Sequence, residues 1–178
     1  VLGVPKFADL LNVLARFQEQ LTLSAFEFFS QMALNKVRAH RDLAEPLNEP
    51  TNFYALLEFD ASAEESAMAA FTHCLEEGWI VDGVLSQSDA QAAALWQLRE
   101  GISESIASYT PYKNDLAVKV SALPQFLERV TDCVQAAYPD YEVCWYGHIG
   151  DGNFHCLLTY DPKNETEMTN ARVVCDQI

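Results

Sequence analysis

Apolar residues recur every three or four positions at the start of the chain. Phe7, Leu10, Leu11, Leu14, Phe17 and Leu21 form a stripe that predicts a helix running to about Gln20, and Pro5 suits its entry. Thr22 to Phe29 changes to an alternating, aromatic pattern and predicts a strand; Ser30 to about Arg41 predicts a second helix, closed by a loop holding Pro46 and Pro50. Phe53 to Phe59 reads as an apolar strand. Ser62 with Glu65 has the spacing of a capping box, opening a helix to about Glu77 that Gly78 is placed to end. Trp79 to Leu85 predicts a third strand, and Ser88 with Gln91 a second capping box opening a helix to about Ala107. Tyr112 to Val120 reads as a strand. Leu123 to Tyr138 reads as a helix with Pro124 in its first turn and Phe126, Val130, Val134 and Ala137 inward. Two apolar runs, Tyr141 to Tyr146 and Phe154 to Tyr160, flank Asp151-Gly152 and predict a hairpin, with a helical tail from about Asn164.

Strands alternate with helices, yet the final hairpin is necessarily antiparallel. The order predicts an α+β fold: a largely antiparallel sheet with helices packed on one face, in ferredoxin-like repeats. A doubly wound α/β sheet is the alternative. The chain has no Walker A sequence and no Gly-x-Gly-x-x-Gly after a strand, so nothing in it binds a dinucleotide by itself.

Two stretches carry candidate chemistry. If Asp151 and Gly152 are a two-residue turn, Gly150 pairs with Asn153, Ile149 with Phe154, and His148 with His155. Directly opposed residues share a face with Cβ atoms about 4.5–5.5 Å apart, so these imidazoles are able to hold one metal ion; an ordinary cross-strand pair is the other reading. Glycines at 147, 150 and 152 leave the backbone bare for a ligand. The second stretch is the helix from Ser88. Leu95, Leu98, Ile102 and Ile106 define its buried stripe, and Arg99 falls inside it with Ser103 one turn on. A buried guanidinium needs a partner: a carboxylate of the chain, or that of a ligand gripped by its planar fork.

Composition narrows the class. With 178 residues, 49% of them hydrophobic and 11% aromatic, the chain can bury a core as one domain. No apolar run approaches the ~20 residues of a membrane span, and no signal peptide is visible. Val1 and the ending Cys175-Asp176-Gln177-Ile178 lead us to expect a piece truncated at both ends. The five cysteines, without a Cys-x-x-Cys, read as reduced and mostly buried thiols, hence a cytoplasmic protein. A net charge of −15 argues against nucleic acid or an anionic membrane as partner. Between Asp42 and Leu98 there is no Lys or Arg; Arg99, Lys113 and Lys119 then follow, a cluster suited to an anionic ligand or to solvent. His40 and His73 read as surface or packing residues.

Gly147-His148-Ile149-Gly150-Asp151-Gly152-Asn153-Phe154-His155 closely resembles the Gly-His-x-Gly-Asp-Gly-Asn-x-His motif of FAD-linked oxidases and dehydrogenases. Trp96-Gln97-Leu98-Arg99-Glu100-Gly101-Ile102 is similar to that family's Trp-x-x-Arg-Glu-x-Ile helix, and Lys113-Asn114-Asp115 to its Lys-x-Asp strand; Leu2-Gly3-Val4-Pro5 and Ser24-Ala25-Phe26-Glu27 also fit. The resemblance covers nearly the whole chain and implies most of a C-terminal substrate (cap) domain, with the FAD-binding domain of the same polypeptide lying outside it. It implies oxidation of a small anionic 2-hydroxy acid with hydride transfer to FAD. By the same likeness Arg99, Ser103 and Lys113 bind substrate, His148 and His155 hold a divalent metal, commonly zinc, and Gly150, Asp151, Gly152 and Asn153 lie near the cofactor. A third metal ligand, a Glu, and the His that accepts the proton are implied beyond Ile178, so the chain carries no catalytic base of its own. Leu157 replaces the Asn of the hydroxyglutarate enzymes, and Lys119 stands where Pro is frequent. A homodimer stays open, as do a metal-free member in which the histidines bind substrate, a metallohydrolase, and a non-catalytic ferredoxin-like ligand-sensing module.

Overall fold

The computed structural model describes residues 1–107, 109, 119–139, 141–149 and 173 in full, and the backbone of 112–117 and 153–159. The chain runs β1 (Leu2–Val4), α1 (Phe7–Gln20), β2 (Leu23–Ser30), α2 (Gln31–Arg41), β3 (Phe53–Phe59), α3 (Glu64–Glu76) and β4 (Asp82–Gly83). It continues through α4 (Asp89–Glu100), α5 (Ile102–Ala107), β5 (Tyr112–Ala117), α6 (Leu123–Ala137), β6 (Glu142–His148) and β7 (Asn153–Thr159). Among these residues the strands form one seven-stranded sheet in the order β4-β1-β3-β2-β6-β7-β5, antiparallel at every pairing.

That order contains the expected repeat. The first four strands lie 4-1-3-2, the arrangement of a ferredoxin-like unit, with α1 and α3 as its crossovers and α2 inserted between β2 and β3. β5, α6, β6 and β7 repeat the first three strands and first helix of that plan, mirrored in the sheet as 2-3-1. The two units meet at β2 and β6 through three opposed pairs, Glu27–His148, Phe28–Gly147 and Phe29–Tyr146.

The α+β class and antiparallel sheet agree with the sequence reading, but the helices are shared between both faces where one covered face was expected. In β2, Phe26 and Phe28 join the core of α1, α3 and α6, while Phe29 joins that of α2, α4 and α5. The same alternation sends Trp145 to the first core and Cys144 and Tyr146 to the second. A strand buried on both sides has no polar face, which is why its two-residue period reads only weakly in sequence.

Local chemistry explains the smaller differences. Asp60, not Ser62, caps the turn before α3: its Oδ1 accepts from the Ser62 amide at 2.9 Å and hydroxyl at 2.6 Å, and these bonds hold its carboxyl below the usual range. Gly78, at φ 70°, ends that helix as expected. The amides of Trp79 and Ile80 then bond back to the Cys74 carbonyl, so the strand expected over 79–85 shrinks to Asp82–Gly83. Ser88 caps α4 as the pattern predicts. Gly101 separates α4 from α5 and sits against α2, where an added Cβ would stand 2.6 Å from Val37 Cγ2. In α6 the buried residues are Leu123, Leu127, Val130 and Val134; Ala137 is exposed, contrary to the predicted stripe. The helical tail expected from Asn164 lies outside the described residues.

Cys74, Cys133 and Cys144 are free thiols. Burial pushes Cys74 up to about 11 and Cys144 up to about 12, while Cys133 is exposed. Alkylation at pH ~8 followed by peptide mapping should label Cys133 within minutes, and Cys74 and Cys144 only with unfolding. The sign for stability follows. The unfolded chain ionises these thiols near their ordinary value of about 8.5, the folded chain only far above it, so the fold should weaken as pH rises past that point. Equal labelling rates for all three would contradict the packing.

Candidate functional site

β2 delivers a carboxylate into the second core. Its period of two, set by Phe26 and Phe28 facing α1 and α6, turns Glu27 to the opposite side, where its side chain is only 5% exposed. A carboxylate so deeply buried must be paired. Glu27 Oε2 accepts from Arg99 Nε at 2.9 Å, and Oε1 forms an ion pair with Nδ1 of His148, the directly opposed residue of β6. One acidic side chain therefore binds together the two stretches that the sequence singled out separately.

Arg99 reaches this point from the inward stripe of α4 and is 12% exposed, as its helical position predicts. Its guanidinium carbon lies 4.8 Å from the centroid of the Tyr146 ring, a cation–π contact. Nε is committed to Glu27, whereas Nη1 and Nη2 have no partner among the described residues. Ser103 stands one turn on, its Oγ 2.9 Å from the Tyr146 hydroxyl. Arg99, Ser103, Tyr146, Glu27 and His148 are thus one connected group. The imidazole is its open end, with 53% of the side chain exposed.

The hairpin register differs from the expected one. β6 ends at His148 and β7 begins at Asn153, so His148 opposes Asn153, and His155 opposes Tyr146. Four residues connect the strands in place of two. Ile149 leaves the ladder to bury completely in the first core, and that anchor sets the longer connection. A shift of one residue would have moved position 148 to the other face relative to position 155; a shift of two preserves the parity. On β5, Asp115 opposes His155, and Lys113 opposes Leu157, level with Cys144.

Gly150, Asp151 and Gly152, and the side chains of Lys113, Asn153, His155 and Leu157, lie outside the described residues. Lys119 is exposed at the turn before α6. His40 sits at the surface 3.8 Å from Glu104, and His73 packs edge-on against Trp79, both as expected. Trp96 serves packing: its Nε1 donates to Glu58 at 3.0 Å, joining α4 to β3. The residue that sequence reasoning missed is Glu27. Its signal was a lone carboxylate between Phe26 and Phe28, as much in need of an inward partner as Arg99.

Two fused ferredoxin-like units, with a cation and an imidazole gathered on a buried carboxylate at their seam, make up this α+β domain. The chain belongs to the family described as FAD linked oxidases, C-terminal domain, which matches residues 1–178. It is 50% identical over 182 residues to a D-2-hydroxyglutarate dehydrogenase of Xanthomonas citri pv. viticola, covering 100% of this chain and 38% of that protein. It is 52% identical over 171 residues to the D-2-hydroxyglutarate dehydrogenase of Stutzerimonas stutzeri, covering 94% of this chain and 37% of the relative. A putative mitochondrial D-lactate dehydrogenase of Schizosaccharomyces pombe is 31% identical over 172 residues, covering 86% and 32%. The chain spans well under half the length of these relatives. Among the described residues no helix is long and apolar enough to cross a membrane.

Proposed function

We propose that this chain is the substrate-binding part of an FAD-dependent dehydrogenase that oxidises a 2-hydroxy acid. The observation that carries the reading is the Nη1–Nη2 edge, unpartnered among the described residues, of a nearly buried Arg99 whose Nε is already held by Glu27. Such an edge matches a carboxylate bidentately and, being fixed in advance, orients it. Ser103 and Tyr146 set the wall beside that edge, and Lys113 would serve as a second cation in this reading. The proton leaves to a base outside these residues, and FAD, bound mainly by a domain outside this chain, supplies the hydride acceptor.

A divalent ion, zinc by preference, is part of the same reading. Glu27 occupies Nδ1 of His148 and leaves Nε2 as the donor atom, the carboxylate-backed arrangement of metal-binding imidazoles. Among the described residues no group of three His, Cys, Asp or Glu could hold a metal, so His148 and His155 would share the ion with ligands from elsewhere. When bound, it would lower the pKa of the substrate hydroxyl. Residence in a reducing compartment belongs to the proposal as well, and the free thiols suit it.

Relatives' names favour D-2-hydroxyglutarate as the first acid to try and D-lactate as the second, while Leu157 argues for trying both. The full-length flavoprotein, mixed anaerobically with each acid, should lose its oxidised-flavin absorbance. The 178-residue chain alone should show neither dehydrogenase activity nor tight zinc binding. A flavin that no 2-hydroxy acid reduces would end the proposal.

A further inference from the structure

The geometry points to Glu27 as the positioning residue of this site: it fixes the tautomer of His148 and the posture of Arg99 at once. The ion pair sets a carboxylate oxygen, which can only accept, against Nδ1 of His148, and an Nδ1–H satisfies it. In the neutral imidazole Nε2 is then bare, free to accept a proton or a ligand. The second carboxylate oxygen takes Nε of Arg99 and so turns the Nη edge outward. Both oxygens are in use, the side chain is 5% exposed, and Glu27 opposes His148 directly across β2 and β6. Little freedom remains to break one contact without the other.

The plainer alternative is that Glu27 only ties α4 to the sheet. The two roles part at Glu27→Gln, which has the same shape but one acceptor and one donor group. If its oxygen serves Arg99, its amide donates to Nδ1, and the imidazole must move its proton to Nε2. If the amide is reversed, two donors face each other at Arg99. A structural tie is indifferent to which ring nitrogen is protonated; a positioning residue is not. The catalytic consequence rests on the function proposed above, but the tautomer does not.

Two measurements test this. Long-range ¹H–¹⁵N spectra of the chain with labelled histidines, at pH ~8.5 where an ordinary imidazole is neutral, should show His148 as Nδ1–H, assigned by its loss in His148→Gln. Glu27→Gln should shift it to Nε2–H, and Glu27→Asp, which keeps the charged acceptor, should retain Nδ1–H. In the full-length flavoenzyme, Glu27→Gln should lower kcat by about 10–100-fold, the usual cost of losing such a partner, with a smaller rise in KM, and Glu27→Asp should restore part of kcat. An Nε2–H tautomer in the wild type, or an unchanged tautomer and kcat in Glu27→Gln, overturns the assignment. A wild-type flavoenzyme inert toward every 2-hydroxy acid would sink the proposed function instead, and the spectra would still decide the role of Glu27.

Discussion

On the function proposed above, Arg99→Met in the full-length protein is expected to lower kcat/KM for a 2-hydroxy acid by about 10²–10³-fold, chiefly through KM. Truncating one member of a buried, hydrogen-bonded charge pair costs about 2–5 kcal/mol, and each 1.4 kcal/mol is roughly tenfold. Met keeps the length of the stem and its packing beside Leu98 and Tyr146 but removes every donor. Arg99→Lys should fall between the two, because an ammonium cannot hold Glu27 and a bidentate carboxylate together. Stability should respond too. Arg99→Met leaves the Glu27 charge with His148 alone, at a cost of about 3 kcal/mol in urea denaturation. Adding Glu27→Gln should return part of that loss, since the buried charge goes with it. Steady-state kinetics with unaltered KM in Arg99→Met would mean that the guanidinium serves Glu27 and nothing else.

Phe28→Ala should be the most destabilising single change in the sheet. The ring is fully buried, meets Phe7 edge-on with centroids 5.3 Å apart, and opposes Ala55 and Gly147 on either side. Phe7 in turn meets Phe53 at 5.5 Å. Gly147 has no side chain and Ala55 only a methyl group, so neither can fill the space left behind. A loss of about 3–5 kcal/mol follows from transfer and cavity terms together, against a total stability of about 5–15 kcal/mol for a typical domain. The midpoint in urea should fall with the slope unchanged, and the melting temperature by roughly 10 °C. A loss under about 1 kcal/mol would mean that the seam collapses around the gap, or is packed otherwise than described.

Several elements were legible because their information is local. The apolar stripe of α1, the Ser88 cap and the Gly78 stop all lie within a few residues of what they determine. Arg99 was legible too, since 100° per residue places it among Leu95, Leu98 and Ile102. Its partner was not, because Glu27 lies 72 residues earlier and nothing in either stretch names the other. The hairpin register was misread for a related reason. Asp151-Gly152 is a strong turn signal, but the burial of Ile149 in a core made by distant helices outweighs it. The division of helices between faces likewise depends on where α2 and α4 pack, which no single strand records.

The seam between the two units has an implication for motion. Its ladder is three pairs long, and Glu27, Tyr146 and His148 belong both to that ladder and to the group around Arg99. Ser30, the residue next to it, accepts from the Trp145 amide at 3.2 Å, and Lys36 of α2 pairs with Glu142 of β6. Parting of the halves would therefore separate Glu27 from His148, and on the function proposed above an anion held by Arg99 would resist that parting. Amide exchange at positions 146–148 should slow when a substrate analogue is added, by an amount set by its occupancy, while exchange in α3, remote from the junction, stays constant. In such a molecule affinity and cohesion are one quantity, measured at two places.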